Sequence, residues 1–209
     1  MSKTRRLTPV LVRGRKTYCS GVLINADLSC SSGISTRLVL TCAHFFRGLR
    51  DEPVFVSAYG FRIRVEAVRT VKGTDLAVAY LAESTPPMVT AEISTRVPGI
   101  GNRSITYGYG GNSRTPLVRH GYVLGRLPFS ISYDLKTVVR HAVAIFNRNS
   151  AVYGDSGGPI VINGSVVATQ SLIASPFGMN THVATGALVA PHTQAIRRAC
   201  ALLQSEFGD

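Results

Sequence analysis

The sequence predicts an all-β fold that ends in a single helix. Twenty glycines and ten prolines are spread along the 209 residues, which is typical of many short strands joined by turns. Regular helical periodicity is nearly absent before residue 190, whereas several short runs are apolar or alternate apolar with polar residues. Hydrophobic residues make up 45% of the chain and charged residues 16%, so the composition is that of a globular and not a disordered protein.

The elements follow from these patterns in chain order. In the first half, the predicted strands are 20–25, 38–41, 54–59, 62–67 and 76–81, and residues 61–67 alternate with the period of a half-buried strand. In the second half, the apolar run 160–162 predicts a strand. From Pro191 onward the period changes to that of a helix, with Thr193 as its expected cap. Its apolar face is formed by Ala195, Ile196, Ala199, Cys200 and Leu203.

The charge and the apolar runs bear on binding partners and on membrane association. The net charge is +12, from 23 basic and 11 acidic residues, but the basic residues are scattered apart from a cluster in residues 3–16. No basic motif is interleaved with aromatic residues, which favours a solubility bias over nucleic-acid binding. No run approaches the roughly 18 apolar residues of a membrane span. The short apolar run 7–12 does not form a convincing signal peptide.

Three short motifs carry groups that could act together chemically. Residues 154–159 read Gly-Asp-Ser-Gly-Gly-Pro, residues 41–44 read Thr-Cys-Ala-His, and residues 74–78 read Thr-Asp-Leu-Ala-Val. A serine hydroxyl needs a neighbouring base to become a nucleophile, and a histidine with a pKa near ~6.5 suits that task. A carboxylate can hold such a histidine in one tautomer. His44 and Asp75 each adjoin a predicted strand, where a rigid scaffold could position them.

These motifs resemble those of the chymotrypsin-like serine peptidases, and they occur in that family's order. The resemblance implies Ser156 as nucleophile, His44 as general base and Asp75 as the group that orients it. Asp51, with Glu52, is a rival for the third role, but both lie in a polar loop. The resemblance further implies an oxyanion hole formed by the N–H groups of Gly154 and Ser156.

Weaker similarities to the family extend over most of the chain. Residues 18–24 resemble its Cys-Gly-Gly strand, residues 107–110 its Gly-Trp-Gly turn, and residues 166–171 the strand that lines its substrate channel. The resemblance implies two six-stranded antiparallel β-barrels with a C-terminal helix. We therefore expect a basic arm at 1–16, a first barrel at 17–90, a linker at 91–103, a second barrel at 104–190 and a helix with its tail at 191–209.

The family pattern also implies which residues contact the substrate. Ser150, six residues before Ser156, would form the floor of the primary pocket, Ser171 would line the channel, and Ile173 would narrow the pocket where the family has glycine. An uncharged floor predicts a small or medium uncharged residue on the acyl side of the cut. A rival interpretation has His182 line the pocket and select glutamate, although an ordinary loop histidine is the simpler explanation for that residue.

Activation and disulfide bonding are less determined by the sequence. Zymogen-type relatives pair a freed N-terminal amine with the aspartate before the serine, here Asp155, but only 18 residues precede Cys19. Arg140 or Arg148 is the expected partner instead, with surface solvation as the alternative for each. Four cysteines allow three complete pairings, and the sequence favours none of them. These are Cys19, Cys30 and Cys42, expected in the first barrel, and Cys200, expected as a free thiol on the helix.

The leading hypothesis is thus a serine endopeptidase that acts on protein or peptide substrates, as a monomer, without a metal or cofactor. The other histidines, His120, His141, His182 and His192, have no metal-ligand spacing with a cysteine pair. The alternatives are a catalytically inactive binding protein on the same fold and a basic nucleic-acid-binding β protein. Secretion is the expectation that the family suggests, while the compartment and the natural substrate stay open.

Overall fold

Strands dominate the computed structural model, which describes residues 7–49, 52–174 and 181–208. Within these residues there are fourteen strands and one α-helix. The strands are β1 Pro9–Arg13, β2 Tyr18–Leu23, β3 Ser32–Ile34, β4 Leu38–Thr41, β5 Phe55–Ala58, β6 Phe61–Thr70, β7 Ala77–Leu81, β8 Met88–Val89, β9 Arg103–Gly108, β10 Leu117–Ile131, β11 Val138–Asn147, β12 Pro159–Ile162, β13 Ser165–Ile173 and β14 Val183–Leu188. The helix α1 spans Thr193–Phe207.

The first barrel closes in the order β1-β2-β4-β7-β6-β5. β1 pairs with both β2 and β5, and its Val10 and Val12 are fully buried in the barrel core. The expectation of a basic arm over 1–16 is therefore wrong for residues 9–13, because their alternating apolar side chains complete the barrel. Residues 1–6 of that arm lie outside the described residues.

The second barrel closes in the order β10-β11-β14-β13-β12-β9, so the predicted fold of two six-stranded antiparallel barrels with a C-terminal helix is confirmed. The segment between the barrels is tied to both of them. Ala91 bridges to Ile24 of the first barrel, and Ile93 bridges to Val166 on β13 of the second. These short parallel bridges fix how the two barrels meet.

The helix α1 packs its apolar face against the junction of the barrels. Ile196, Ala199, Cys200 and Leu203 are buried in a core cluster that also contains residues of both barrels. The expected cap is wrong: Thr193 is the first helical residue, and its hydroxyl donates to the carbonyl of Ala190 (3.3 Å). In the parts of the chain that the structure describes, no helix is long and apolar enough to cross a membrane.

Candidate active site

The end of one strand pair brings His44 and Asp75 together. β4 and β7 are antiparallel neighbours, and their register places Thr41 opposite Ala77. His44 opens a short 3₁₀ helix, His44–Gly48, just after β4, while Asp75 lies two residues before β7. Residues that follow one antiparallel strand and precede its partner lie at the same edge of the sheet. The local sequence therefore places the imidazole beside the carboxylate.

Asp75 is an acceptor for three donors around it. Its side chain is fully buried, and its Oδ1 accepts from the backbone N–H of His44 at 2.7 Å. Its Oδ2 lies 2.7 Å from Nδ1 of His44 and also accepts from the hydroxyl of Ser171. Because an ionised carboxylate can only accept, Nδ1 of His44 carries the proton in this arrangement. Nε2 is then the basic nitrogen of the neutral ring.

The surroundings of His44 shift its affinity for a proton. Burial by itself disfavours the charged imidazolium, but the contact with Cys42, the hydrogen bond to Asp75 and the negative charge of that carboxylate outweigh it and raise the pKa of His44 above the usual 6.5. The thiol of Cys42 lies 3.9 Å from Nε2, and burial raises the pKa of this thiol well above 9.0, so it stays neutral. His44 is thus stabilised as the imidazolium, which suits a group that must accept a proton during a reaction.

Ser156 lies at the second barrel, on a turn held against the first. Its carbonyl accepts from the N–H of Ser20 on β2 (2.7 Å), and the next N–H, of Gly157, donates to the carbonyl of Gln170 on β13 (2.7 Å). Its hydroxyl donates to the carbonyl of Ser171 at 3.2 Å. Ser156 and His44 line one cavity of about 250 Å³ between the barrels. Ser156 therefore shares a cavity with His44, which in turn is bonded to the buried Asp75.

Gly154 has a backbone conformation that other residues adopt with difficulty. Its φ is +99°, and a Cβ placed there would lie 2.1 Å from Cε2 of Tyr18. Its carbonyl accepts from the hydroxyl of Ser20 at 2.7 Å, which fixes the peptide plane. Within the described residues, the N–H groups of Gly154 and Ser156 donate to no protein acceptor.

Asp155 has a partner that the sequence did not single out. Its Oδ2 accepts from Nε of Arg119 on β10 at 2.8 Å and from the N–H of Val152 at 2.8 Å, while its Oδ1 accepts from the N–H of Gly110 at 2.9 Å. The side chains of both members of the ion pair are buried, with exposures of 8% and 0%. A Cβ on Gly110 would lie 2.4 Å from Oδ1, so the glycine makes room for the carboxylate.

The expected partners of Asp155 are therefore wrong. Arg148 instead donates to the hydroxyl of Tyr122 (2.7 Å), and the side chain of Arg140 lies against Gly73. Nothing local marks Arg119, since it reads as one of many scattered arginines. The glycines at 108 and 110 leave room for the carboxylate of Asp155, and they are the signal in the sequence that a side chain packs there. They do not identify Arg119 as its partner.

The residues expected to contact the substrate occupy different settings. Ser150 is half-buried in the segment leading to Asp155, and Ile173 is half-buried at the end of β13, opposite Ala184. The hydroxyl of Ser171 is committed to Asp75, so only its main chain faces the serine. Residues 175–180, which follow β13, lie outside the described residues, as does the rival carboxylate Asp51.

His182 has a defined tautomer. Its Nδ1 lies 3.1 Å from the carbonyl of Asn147, which can only accept, and its ring stacks on Phe146 at 5.9 Å. Nδ1 therefore carries a proton.

All four cysteines are free thiols. Cys19 and Cys42 are buried in the core of the first barrel, as expected from their strands. Cys30 lies in the connection between β2 and β3 and is not part of a barrel strand. Cys200 is buried on α1, where burial raises its pKa to about 12. No disulfide therefore takes part in holding the candidate site together.

Comparison with known proteins matches the chain to one family and one fold. Residues 19–168, which include all three motifs, match the family model described as a trypsin-like peptidase domain. No curated protein sequence matches the chain significantly. Similar solved structures include the Rv3671c protease of M. tuberculosis in its active form, with 19% identity, a TM-score of 0.72, and coverage of 94% of this chain and 82% of that one.

Two further structures give the same result. The MamO protease domain from Magnetospirillum magneticum has 20% identity and a TM-score of 0.69, with 93% of this chain and 98% of that chain covered. A serine endoprotease from Yersinia pestis has 19% identity and a TM-score of 0.67, with 93% and 63% covered. At such low identities the structural likeness speaks for the fold.

Proposed function

Since the chain belongs to the trypsin-like peptidase family, we propose that it is a serine endopeptidase whose nucleophile is Ser156, whose general base is His44 and whose orienting carboxylate is Asp75. The observation that carries the proposal is the bonding of His44 to Asp75 through both its backbone N–H and Nδ1, in the cavity that Ser156 also lines. Each residue then has one chemical task, and each task follows from its contacts.

The first step is attack of the Ser156 hydroxyl on a peptide carbonyl. In the resting arrangement this hydroxyl donates to the carbonyl of Ser171, so it must turn away from that carbonyl to direct its proton to Nε2 of His44. Such hydrogen bonds are often long or misaligned before substrate binds. The proton moves from Oγ to Nε2, and the buried Asp75 stabilises the imidazolium that forms.

The negative charge that develops on the substrate oxygen would be bound by the N–H groups of Gly154 and Ser156. Preorganised donors of this kind are each worth about 3 kcal/mol of transition-state stabilisation. His44 then gives its proton to the leaving amine, and an acyl-enzyme on Ser156 remains. Water, activated by His44, releases the acyl group and restores the serine.

The preference for the residue on the acyl side is a finer proposal. We propose a small or medium uncharged residue, because Ser150 carries no charge and Ile173 adds bulk at the end of β13. A glutamate preference through His182 is the rival. The two differ in a cleavage profile on a mixed peptide library, and a clear preference for arginine or lysine would contradict both.

Covalent labelling with a fluorophosphonate tests the proposed activity directly. We expect the wild-type chain to be labelled stoichiometrically, Ser156→Ala not to be labelled, and His44→Gln to be labelled very slowly. Ser165→Ala is the matched control, since Ser165 lies at the start of β13 on the second barrel and outside the cleft. A folded wild-type chain that is not labelled would favour the inactive binding protein instead.

A further inference from the structure

Two histidines outside the cleft lie in direct contact with each other. His141, on β11, and His192, immediately before α1, place Nδ1 and Nε2 only 3.3 Å apart. Their ring centroids are 5.2 Å apart, and the rings are inclined by 54°. The two residues come from distant parts of the chain, and the proposed peptidase mechanism uses neither of them.

The distance between the two nitrogens matches the edge of a tetrahedral metal site. Zn²⁺ binds imidazole nitrogen at about 2.0–2.1 Å in tetrahedral geometry, so two such nitrogens lie about 3.3–3.4 Å apart. An N–H···N hydrogen bond between the rings would give a similar distance. The two alternatives predict different behaviour toward metal ions, because a hydrogen bond needs none.

The ring of His192 is half-buried and contacts His141. The main chain of Arg140 also interacts with this ring. Histidines that bind metals generally have their other nitrogen engaged by a carbonyl or carboxylate, which fixes the ring.

His141 presents its ring at an irregular point of β11. Its φ is +53°, in the left-handed region where histidine occurs more often than most residues other than glycine. In the pairing of β11 with β10, Arg140 and Ala142 have partner residues and His141 between them has none. The side chain of His141 is exposed.

We propose that His141 and His192 form a binding site for a divalent transition-metal ion, with Zn²⁺ as the ion of choice. Imidazole suits Zn²⁺, Cu²⁺ and Ni²⁺ and does not suit Mg²⁺ or Ca²⁺. Among the described residues, no group of three or more His, Cys, Asp or Glu side chains is placed to bind a metal. The protein thus supplies two ligands, and water or a group from a bound partner completes the shell.

Such an ion would link two separate elements of the fold beside the cleft. β11 and the start of α1 would be joined through it. The residue next to His141, Arg140, contacts the segment before Asp75: its N–H donates to the carbonyl of Gly73 (3.3 Å), and its carbonyl accepts from the hydroxyl of Thr74 (3.2 Å). The bound metal therefore stabilises the native fold at the junction that carries the carboxylate.

Calorimetric titration of the full, untagged chain with Zn²⁺ at pH 7.5 tests the site, with Ser156→Ala present to prevent self-cleavage. We expect one ion per chain and a melting temperature that rises with Zn²⁺. Both His141→Asn and His192→Gln should weaken binding at least tenfold and abolish that rise. Asparagine is chosen at 141 because it tolerates a positive φ. His120→Gln is the control, since His120 is an exposed histidine on β10.

Two sets of results would overturn the site. Absence of saturable Zn²⁺ binding by the parent chain would leave the pair as a hydrogen bond between imidazoles. Binding that survives His192→Gln, or that is lost equally in His120→Gln, would place the ion elsewhere. Melting each variant without metal shows that it is folded, and if His141→Asn does not fold, His192→Gln alone decides. None of these readouts depends on peptidase activity.

Discussion

Replacing Arg119 with methionine should damage both the stability of the protein and its catalysis. The guanidinium is the charged partner of Asp155, and the substitution keeps most of the side-chain volume while it removes the charge. Asp155 lies between the two residues whose N–H groups we assign to the oxyanion hole. A change at Arg119 is therefore transmitted to the catalytic cleft although Arg119 itself lies outside it.

The size of the effect follows from the geometry of the pair. At 2.8 Å and an effective dielectric constant of about 20, the two charges attract by about 6 kcal/mol. Removing one partner of a buried pair costs about 3–5 kcal/mol, because the remaining charge is left without compensation. Asp155 keeps its hydrogen bonds from Gly110 and Val152, so we expect a loss near the lower end, about 3 kcal/mol in the free energy of unfolding.

The fall in kcat should be larger than the loss of folded protein alone would cause. If Asp155 shifts, the N–H groups of Gly154 and Ser156 no longer point at one oxygen, and loss of one such donor lowers kcat about 100- to 1000-fold. We therefore expect Arg119→Met to lower kcat about 100-fold at a temperature where it is fully folded. KM should change much less, because the oxyanion contact is made mainly in the transition state.

Urea unfolding and steady-state kinetics measure the two effects separately. Arg148→Met is the control, since Arg148 is an exposed arginine that contacts a tyrosine, and its removal should change stability by less than about 1 kcal/mol. Combining Arg119→Met with Asp155→Asn removes the uncompensated charge and should recover part of the stability. If Arg119→Met matches Arg148→Met in both assays, the ion pair does not support the cleft.

Four further predictions concern the cleft itself. Because the pKa of His44 is raised and the neutral ring is the base, kcat/KM should rise with pH through an acid limb above pH 6.5. Asp75→Asn should lower kcat about 10,000-fold in the same pH series. Gly154→Ala should lower kcat at least about 100-fold, since its Cβ would meet Tyr18 at 2.1 Å and its φ is +99°. Ser171→Ala removes the hydroxyl that donates to Asp75 and should lower kcat/KM about tenfold in peptide hydrolysis.

Matched controls separate these effects from general damage. Gly164 also has a positive φ (+85°), but a Cβ there meets nothing within 4 Å, so Gly164→Ala should cost some stability and leave kcat unchanged. Ser104 is a buried serine whose hydroxyl has no hydrogen-bond partner, so Ser104→Ala should be close to neutral. An acid limb at or below pH 6.5 would show that the carboxylate does not raise the pKa of His44.

The parts of this molecule that the sequence predicted well depend on local patterns. His44 and Asp75 each adjoin a strand that the sequence marks clearly, and the serine turn is a continuous six-residue motif. The buried face of α1 is likewise predictable from the helical spacing of its apolar residues. In each case the information lies within about ten residues, which is the range over which periodicity and turn chemistry act.

The parts that it missed depend on partners distant along the chain. β1 is only five residues long and is followed by basic residues, so its role is visible only once β2 and β5 pair with it. Arg119 could not be distinguished from the other arginines, because its burial results from the closure of the second barrel around Asp155. Long-range pairing of this kind leaves no periodic signal in either segment.

Ser20 shows how a departure from the family pattern can be absorbed by the site. It stands where the family motif has a glycine, and a side chain at that point must find partners, because Ser20 is completely buried between the barrels. Its hydroxyl donates to the carbonyl of Gly154 (2.7 Å) and accepts from the N–H of Tyr109 (2.8 Å), while its own N–H donates to the carbonyl of Ser156 (2.7 Å). Because this buried hydroxyl has both a donor and an acceptor partner, its hydrogen bonds offset the free-energy cost of removing it from water. Ser20 therefore fixes the turn 154–156 from the first barrel, through hydrogen bonds to the residues on both sides of Asp155. Arg119 fixes the same turn from the second barrel, through Asp155 itself.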